Sequence, residues 1–287
     1  MMNATVMPTL LRRRLCATAA LLAMAGAAGR ARSASSAAAT DNRQVALVIG
    51  NSSYRVGALK NPANDAQAVA GALGALGFEV TLRENTSLRD MLEAFRQFSN
   101  SARSARVRVV FYAGHGVQVK GRNYLLPVDT EIRAEDEVPA KSADLNELLE
   151  RLGALPSGIN IVILDACRNN PFSGAEVLGP DGRRLKFRGA TLAGLAPVDA
   201  PLGSMVAFST APGGVALDNP TEKNSLYTKH LLIQMRSPGL PVEMMFKQVR
   251  LSVARETGRV QVPWESSSLT GDFCFRPGPQ GLCSALR

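Results

Sequence analysis

Two residues that could form a nucleophile and its base stand at the ends of apolar runs in this chain. His115 lies in Tyr112-Ala113-Gly114-His115-Gly116 and Cys167 in Asp165-Ala166-Cys167-Arg168-Asn169. A thiol attacks as its thiolate, and at a free pKa of about 8.5 only a small fraction is ionised near neutrality. A neighbouring imidazole raises that fraction or accepts the proton, and can later hand it to a leaving amine. Glycines flank the histidine on both sides, permitting positive φ and close approach of a substrate backbone. The backbone N–H groups of Gly116 and Cys167 are the expected oxyanion donors, in a role worth about 3–4 kcal/mol per donor in hydrolases. Taken singly, a cysteine closing an apolar strand is commonly a small buried residue, and a histidine between glycines can simply cap a turn. The pair, at matching strand ends, points to catalysis.

Those residues need elements to position them. Val45–Gly50 is an apolar run of the kind found in buried parallel strands. Asn64–Leu76 has helical spacing, with Ala66, Val69, Ala70 and Leu73 on one face. Phe78–Leu82 reads as a second strand. Thr86 is the expected cap of a helix through Phe98, with Leu88, Met91, Leu92, Phe95 and Phe98 as its stripe. Val107–Tyr112 is a third strand, expected to end at Gly114-His115-Gly116. Val117–Val128 reads as a hairpin turning at Lys120–Asn123, Ser142–Leu152 as a helix, and Ile159–Leu164 as a fourth buried strand. A fifth strand, Met205–Ser209, and helices near Leu226–Met235 and Val242–Thr257 follow the Gly/Pro-punctuated stretch Arg168–Leu202. This alternation predicts an α/β fold, a mainly parallel sheet with helices on both faces. Sites in such sheets lie beyond the C-terminal strand ends, where His115 and Cys167 both fall.

The composition narrows the partners. The 287 residues are 46% hydrophobic and 20% charged, with a formal net charge of +9. Five of the 33 basic residues (Arg12, Arg13, Arg14, Arg30 and Arg32) fall in residues 1–39, which hold no acid; without them 28 bases face 24 acids. A nucleic-acid binder usually concentrates its charge on one face, and here it is scattered, so no nucleic-acid partner is expected. Residues 1–39 read as an export signal: the Arg12–Arg14 cluster, an apolar stretch from Leu15 to Ala28 too short to span a bilayer comfortably, then small residues. The protein is expected to be exported, periplasmic or secreted, with no membrane attachment once the signal is removed; a retained membrane anchor is the competing reading. Cys16 would leave with it. Of Cys167, Cys274 and Cys283, the last two lie nine residues apart and could pair, leaving Cys167 free. No CxxC or HxxxH spacing suggests a metal, and His230, beside Lys229, is expected on a helix surface.

Over about residues 43–273 the chain resembles the caspase/metacaspase superfamily, most closely its bacterial members. The segments that carry the likeness are Y-A-G-H-G at Tyr112–Gly116, D-A-C-R-N-N-P-F at Asp165–Phe172 and N-P-A-N-D-A at Asn61–Ala66. The separation of 52 residues between His115 and Cys167 also matches the caspase pattern, in which the histidine precedes the cysteine by about 50. The resemblance implies the caspase-haemoglobinase fold, with a peptidase domain at 41–275 and a tail at 276–287. It implies a cysteine endopeptidase working through a Cys167–His115 dyad and a thioester, on protein or peptide substrates, without a cofactor. Caspases that cut after aspartate carry glutamine two residues before the cysteine; this chain has Asp165 there. Residues two apart on a strand share a face, and a carboxylate favours a cation that Arg can engage bidentately. The metacaspase likeness adds Asp65 and Asp218 to a pocket for Arg or Lys, while Ala113 stands where many members carry serine. Asp165 could alternatively orient His115. The acids Asp129, Glu131, Glu135 and Asp136 are expected to be a solvated loop, with no calcium requirement. Arg183, Arg184, Lys186 and Arg188 are expected to be a solvated charged loop, with self-cleavage there by a peptidase for Arg and Lys as the alternative.

Two other classes compete. A catalytically inactive caspase-like module would bind peptides without cutting them, which the presence of both Cys167 and His115 disfavours. A nucleotide-binding domain would need Gly-x-x-x-x-Gly-Lys or G-x-G-x-x-G after the first strand, and Gly50-Asn51-Ser52 provides neither.

Overall fold

The computed structural model describes residues 42–167, 177–178, 184–185, 195–212, 216, 221–281 and 283. The expected signal at 1–39, Asp218 and most of the basic cluster lie outside them. In chain order the principal elements are β1 (Gln44–Gly50), α1 (Pro62–Ala75), β2 (Glu79–Glu84), α2 (Leu88–Ser101), β3 (Val107–Val119) and β4 (Arg122–Leu125). After them come α3 (Val138–Lys141), β5 (Ala143–Asp144), α4 (Leu145–Gly153), β6 (Ile159–Cys167), β7 (Val177–Leu178) and β8 (Arg184–Leu185). The last are β9 (Ser204–Phe208), α5 (Leu226–Gln234), α6 (Val242–Glu256) and β10 (Trp264–Ser267).

The main sheet runs β10-β9-β6-β3-β1-β2. Along this order the neighbours from β2 to β9 are parallel and β10 joins antiparallel, while β4 pairs antiparallel with the end of β3. Central strands covered on both faces must be apolar throughout, and β1, β3 and β9 are buried over nearly their whole length. Alternation divides the core in two. Ala46, Val48, Phe111, Ala113, Ile163 and Ala207 pack with α1, α5 and α6. Leu47, Ile49, Tyr112, Leu164 and Phe208 pack with α2 and α4 on the opposite face. The first helix presses so close to β1 that a Cβ at Gly50 would lie 2.4 Å from the Pro62 carbonyl oxygen and 2.6 Å from the Ala66 Cβ.

Several expected boundaries shift, each for a local reason. The cap of α2 is Ser87, whose Oγ accepts from the Asp90 N–H; Thr86 gives its N–H and hydroxyl to Asn51 Oδ1. Leu92, expected in the stripe, is 43% exposed, and Ala94 takes the buried position. The third strand does not stop at the glycines but continues to Val119 and turns back at Lys120-Gly121, both with positive φ. The first residues of the expected Ser142–Leu152 helix form β5 against β4, and Asp144 caps α4 through the Asn146 N–H. The edge strand β10 was not legible in its polar run Trp-Glu-Ser-Ser; Arg250 of α6 pairs with its Glu265, and Ser267 donates to Glu243 at 2.6 Å.

Beyond the sheet, Cys274 and Cys283 form a disulfide with Cα atoms 5.6 Å apart. His230 bridges α5 to α6 through Glu256 at 2.7 Å. Among the described residues no helix is long and apolar enough to cross a membrane.

Candidate active site

Strands β3 and β6 pair in parallel over nine positions, from Val107 opposite Ile159 to His115 opposite Cys167. The two chemistry-bearing residues therefore stand on adjacent strands at one level, with neighbouring backbones about 4.8 Å apart. In the same register Ala113 faces Asp165 two residues earlier.

A pair of tyrosines fixes the backbone around His115. The Tyr54 hydroxyl accepts the His115 N–H at 2.9 Å and donates to the Leu126 carbonyl at 3.2 Å. The Tyr112 hydroxyl donates to the His115 carbonyl at 2.7 Å and lies 3.0 Å from that of Leu126. Burial pushes the Tyr112 phenol well above its ordinary pKa, so it remains a neutral donor. Gly114 is required between them: its φ is +153°, and a Cβ there would sit 2.5 Å from the Tyr54 hydroxyl and 2.7 Å from that of Tyr112. At Gly116 a Cβ would meet Leu195 at 3.1 Å and Ala166 at 3.4 Å.

The imidazole is 7% exposed and lies against the Tyr54 ring, centroids 4.4 Å apart. Its Nε2 is 2.6 Å from the carbonyl oxygen of Gly57. A carbonyl only accepts, so Nε2 carries the hydrogen and the neutral ring presents Nδ1 as its basic nitrogen. Both Tyr54 and Gly57 come from the β1–α1 loop. That loop is pinned by Asn51, which donates to Leu126 and accepts from Thr86, and by Asn85, whose Oδ1 accepts the N–H groups of Ser52 and Ser53. Gly57 has φ +70°, and a Cβ there would approach His115 Nε2 to 3.3 Å.

Two of the expected pocket acids converge. Asp65, on the first turn of α1, accepts at Oδ1 from the Asn224 side chain at 2.8 Å and the Ser225 N–H at 3.0 Å. Asp165, near the end of β6, accepts at Oδ2 from the Ser225 hydroxyl and from Thr228 Oγ1 at 2.8 Å. Both acids are buried. Asp165 thus meets the start of α5 through Oδ2, while the His115 imidazole meets the Gly57 carbonyl. Burial, then the charge of Asp165, pushes the Tyr227 phenol well above its ordinary pKa, so it stays neutral beside the carboxylate. Ala113 is buried among core side chains. In the acidic loop, Asp129 accepts the Leu88 N–H, while Glu131 pairs with Arg55 and Arg133. Sequence reasoning missed Tyr54, Gly57, Asn224, Ser225 and Thr228, because each acts through a contact distant in sequence.

The caspase domain family matches this chain over residues 43–274. The mucosa-associated lymphoid tissue lymphoma translocation protein 1 of Homo sapiens is 29% identical over 126 residues, covering 44% of this chain and 15% of that protein. Its Mus musculus homologue gives the same identity and coverage. The chain thus spans 15% of the length of these curated relatives. Caspase-1 from Spodoptera frugiperda has a similar fold, with a TM-score of 0.60 at 18% identity over 84% of this chain and 93% of that one.

Proposed function

The chain belongs to the caspase domain family, and from that premise we propose that it is a cysteine endopeptidase that cuts after Arg or Lys. The observation that carries the reading is the register setting His115 opposite Cys167 at the C-terminal ends of adjacent parallel strands. In this mechanism Cys167 gives its proton to Nδ1 of His115, and the thiolate attacks the scissile carbonyl. The N–H groups of Gly116 and Cys167 receive the developing oxyanion. Collapse breaks the C–N bond, the imidazolium protonates the departing amine, and a thioester remains on Cys167. Neutral His115 then takes a proton from water as it attacks the thioester, and returns it to the thiolate on release of the acid.

Asp65 and Asp165, with Asp218 as the third acid, receive the basic side chain. The meeting of Asp65 and Asp165 at Ser225 supports that assignment for those two, since a buried pair of carboxylates suits a cation. Export follows from residues 1–39, and the Cys274–Cys283 disulfide supports it, because such bonds persist in oxidising compartments.

Turnover of fluorogenic peptides ending in Arg, Lys or Asp tests the reading. Hydrolysis after Arg and Lys that disappears in Cys167→Ala and in His115→Ala is expected. Hydrolysis after Asp alone would overturn the pocket assignment, and no hydrolysis of any peptide would favour a module that binds without cutting.

A further inference from the structure

One turn serves both buried acids, and it does more than a helix cap requires. Ser225 caps α5, its Oγ accepting the Thr228 N–H at 3.0 Å. Capping alone would occupy only that lone pair. The same residue also gives its amide hydrogen to Asp65 and its hydroxyl hydrogen to Asp165, so all three of these groups face the acids or the cap. Thr228 adds its hydroxyl to the Asp165 oxygen that Ser225 occupies. Asn61 of the α1 entry donates to the carbonyls of Glu222 and Lys223 at 3.1 and 3.0 Å, tying the turn to the helix that carries Asp65.

We propose that Ser225 and Thr228 are positioning residues for substrate recognition: they preset the two carboxylates that receive a basic side chain. The inference rests on the reading of Asp65 and Asp165 as pocket acids. Two buried carboxylates close together repel each other and resist losing water, and donors to the charged form offset both effects. Held by hydrogen bonds from one rigid turn, the acids meet an incoming guanidinium or ammonium without reorienting, which removes an ordering cost from binding. Both hydroxyl residues are buried, Ser225 at 7% and Thr228 at 0% exposure, so they act through the carboxylates.

Thr228→Val in the full chain separates this role from capping, since it removes one donor to Asp165 and leaves the Ser225 cap in place. The readouts are kcat and KM for Arg- and Lys-terminated peptides, with the rate of Cys167 alkylation by iodoacetamide as a gauge of the nucleophile. Loss of one hydrogen bond to a charged acceptor is expected to raise KM about tenfold. The expected kcat stays within about twofold, because ground-state and transition-state binding suffer alike. Alkylation should be unchanged, and Thr228→Ser, which keeps the hydroxyl, should restore KM. An unmoved KM in Thr228→Val, an equal rise in Thr228→Ser, or a loss confined to kcat would overturn the inference. Should Thr228→Val fail to fold, Thr228→Ala makes the same comparison. A wild-type protein that does not cut after Arg or Lys removes the functional reading and this inference together; one that does, with KM unmoved in the variant, removes this inference alone.

Discussion

His115 is held on three sides, and each restraint has a separable consequence. The Tyr54 hydroxyl fixes its amide, the Tyr54 ring supports its face, and Gly57 sets its tautomer. Tyr54→Phe keeps the ring and removes the hydroxyl. The expected result is a fall in kcat of about fivefold to tenfold with KM little changed, because a displaced base costs the chemical step more than binding. Gly57→Ala combines a positive φ, costing about 1 kcal/mol or more outside glycine, with a methyl group 3.3 Å from Nε2. It should lower kcat/KM by at least an order of magnitude while the far-ultraviolet spectrum stays native. At this scale types and spacing single out His115, Cys167 and Asp165 as candidates, and the family likeness adds Asp65. The sequence hid Tyr54 and Ser225, since a tyrosine 61 residues before the histidine carries no local sign of contact.

Among the elements, period and burial decided most of the architecture. The apolar runs of β1, β3 and β6 announced buried parallel strands, and the glycines misled only about where β3 stops. Gly114 tolerates its backbone geometry without ending the strand, so the histidine stays within a ladder that continues to Val119. Thr86 is the expected cap, and its neighbour Ser87 takes the position instead. Ser87→Ala should cost about 1 kcal/mol through the lost cap, measured by denaturant unfolding. Met91→Ala on the same helix should cost about 2–5 kcal/mol, whereas Leu92→Gln, at a half-exposed position, should be nearly neutral. The close approach of α1 to β1 predicts that Gly50→Ala destabilises by about 1–3 kcal/mol through overpacking. The short edge strand β10 escaped notice because a polar, four-residue run has too few apolar positions to show a period; cross-links to α6 hold it in place.

For the molecule as a whole, two cross-links outside the site set its tolerance to conditions. The Cys274–Cys283 bond closes a short loop, and the double Ser variant should lose about 2–3 kcal/mol of stability while Cys167 still reacts with iodoacetamide. The α5–α6 clamp titrates in acid: Lys229 first, then His230, hold Glu256 below its ordinary 4.5. A lowered folded pKa means that this stabilisation is present above about pH 4.5 and is lost as pH falls through the lower folded value. The melting temperature of Glu256→Gln should therefore fall less between pH 5 and pH 3 than that of the wild type. This network joins α6 to Glu222, just before the turn at Ser225.

The most direct test of the central claim is covalent trapping at Cys167. Matched peptide acyloxymethyl ketones ending in Arg and in Asp are reacted with the protein, and intact mass and peptide mapping report rate and site. A single adduct on Cys167 is expected, formed at least tenfold faster with the Arg reagent and suppressed in His115→Ala. Equal rates for the two reagents, faster reaction with Asp, or labelling that survives the loss of His115 would contradict the claim.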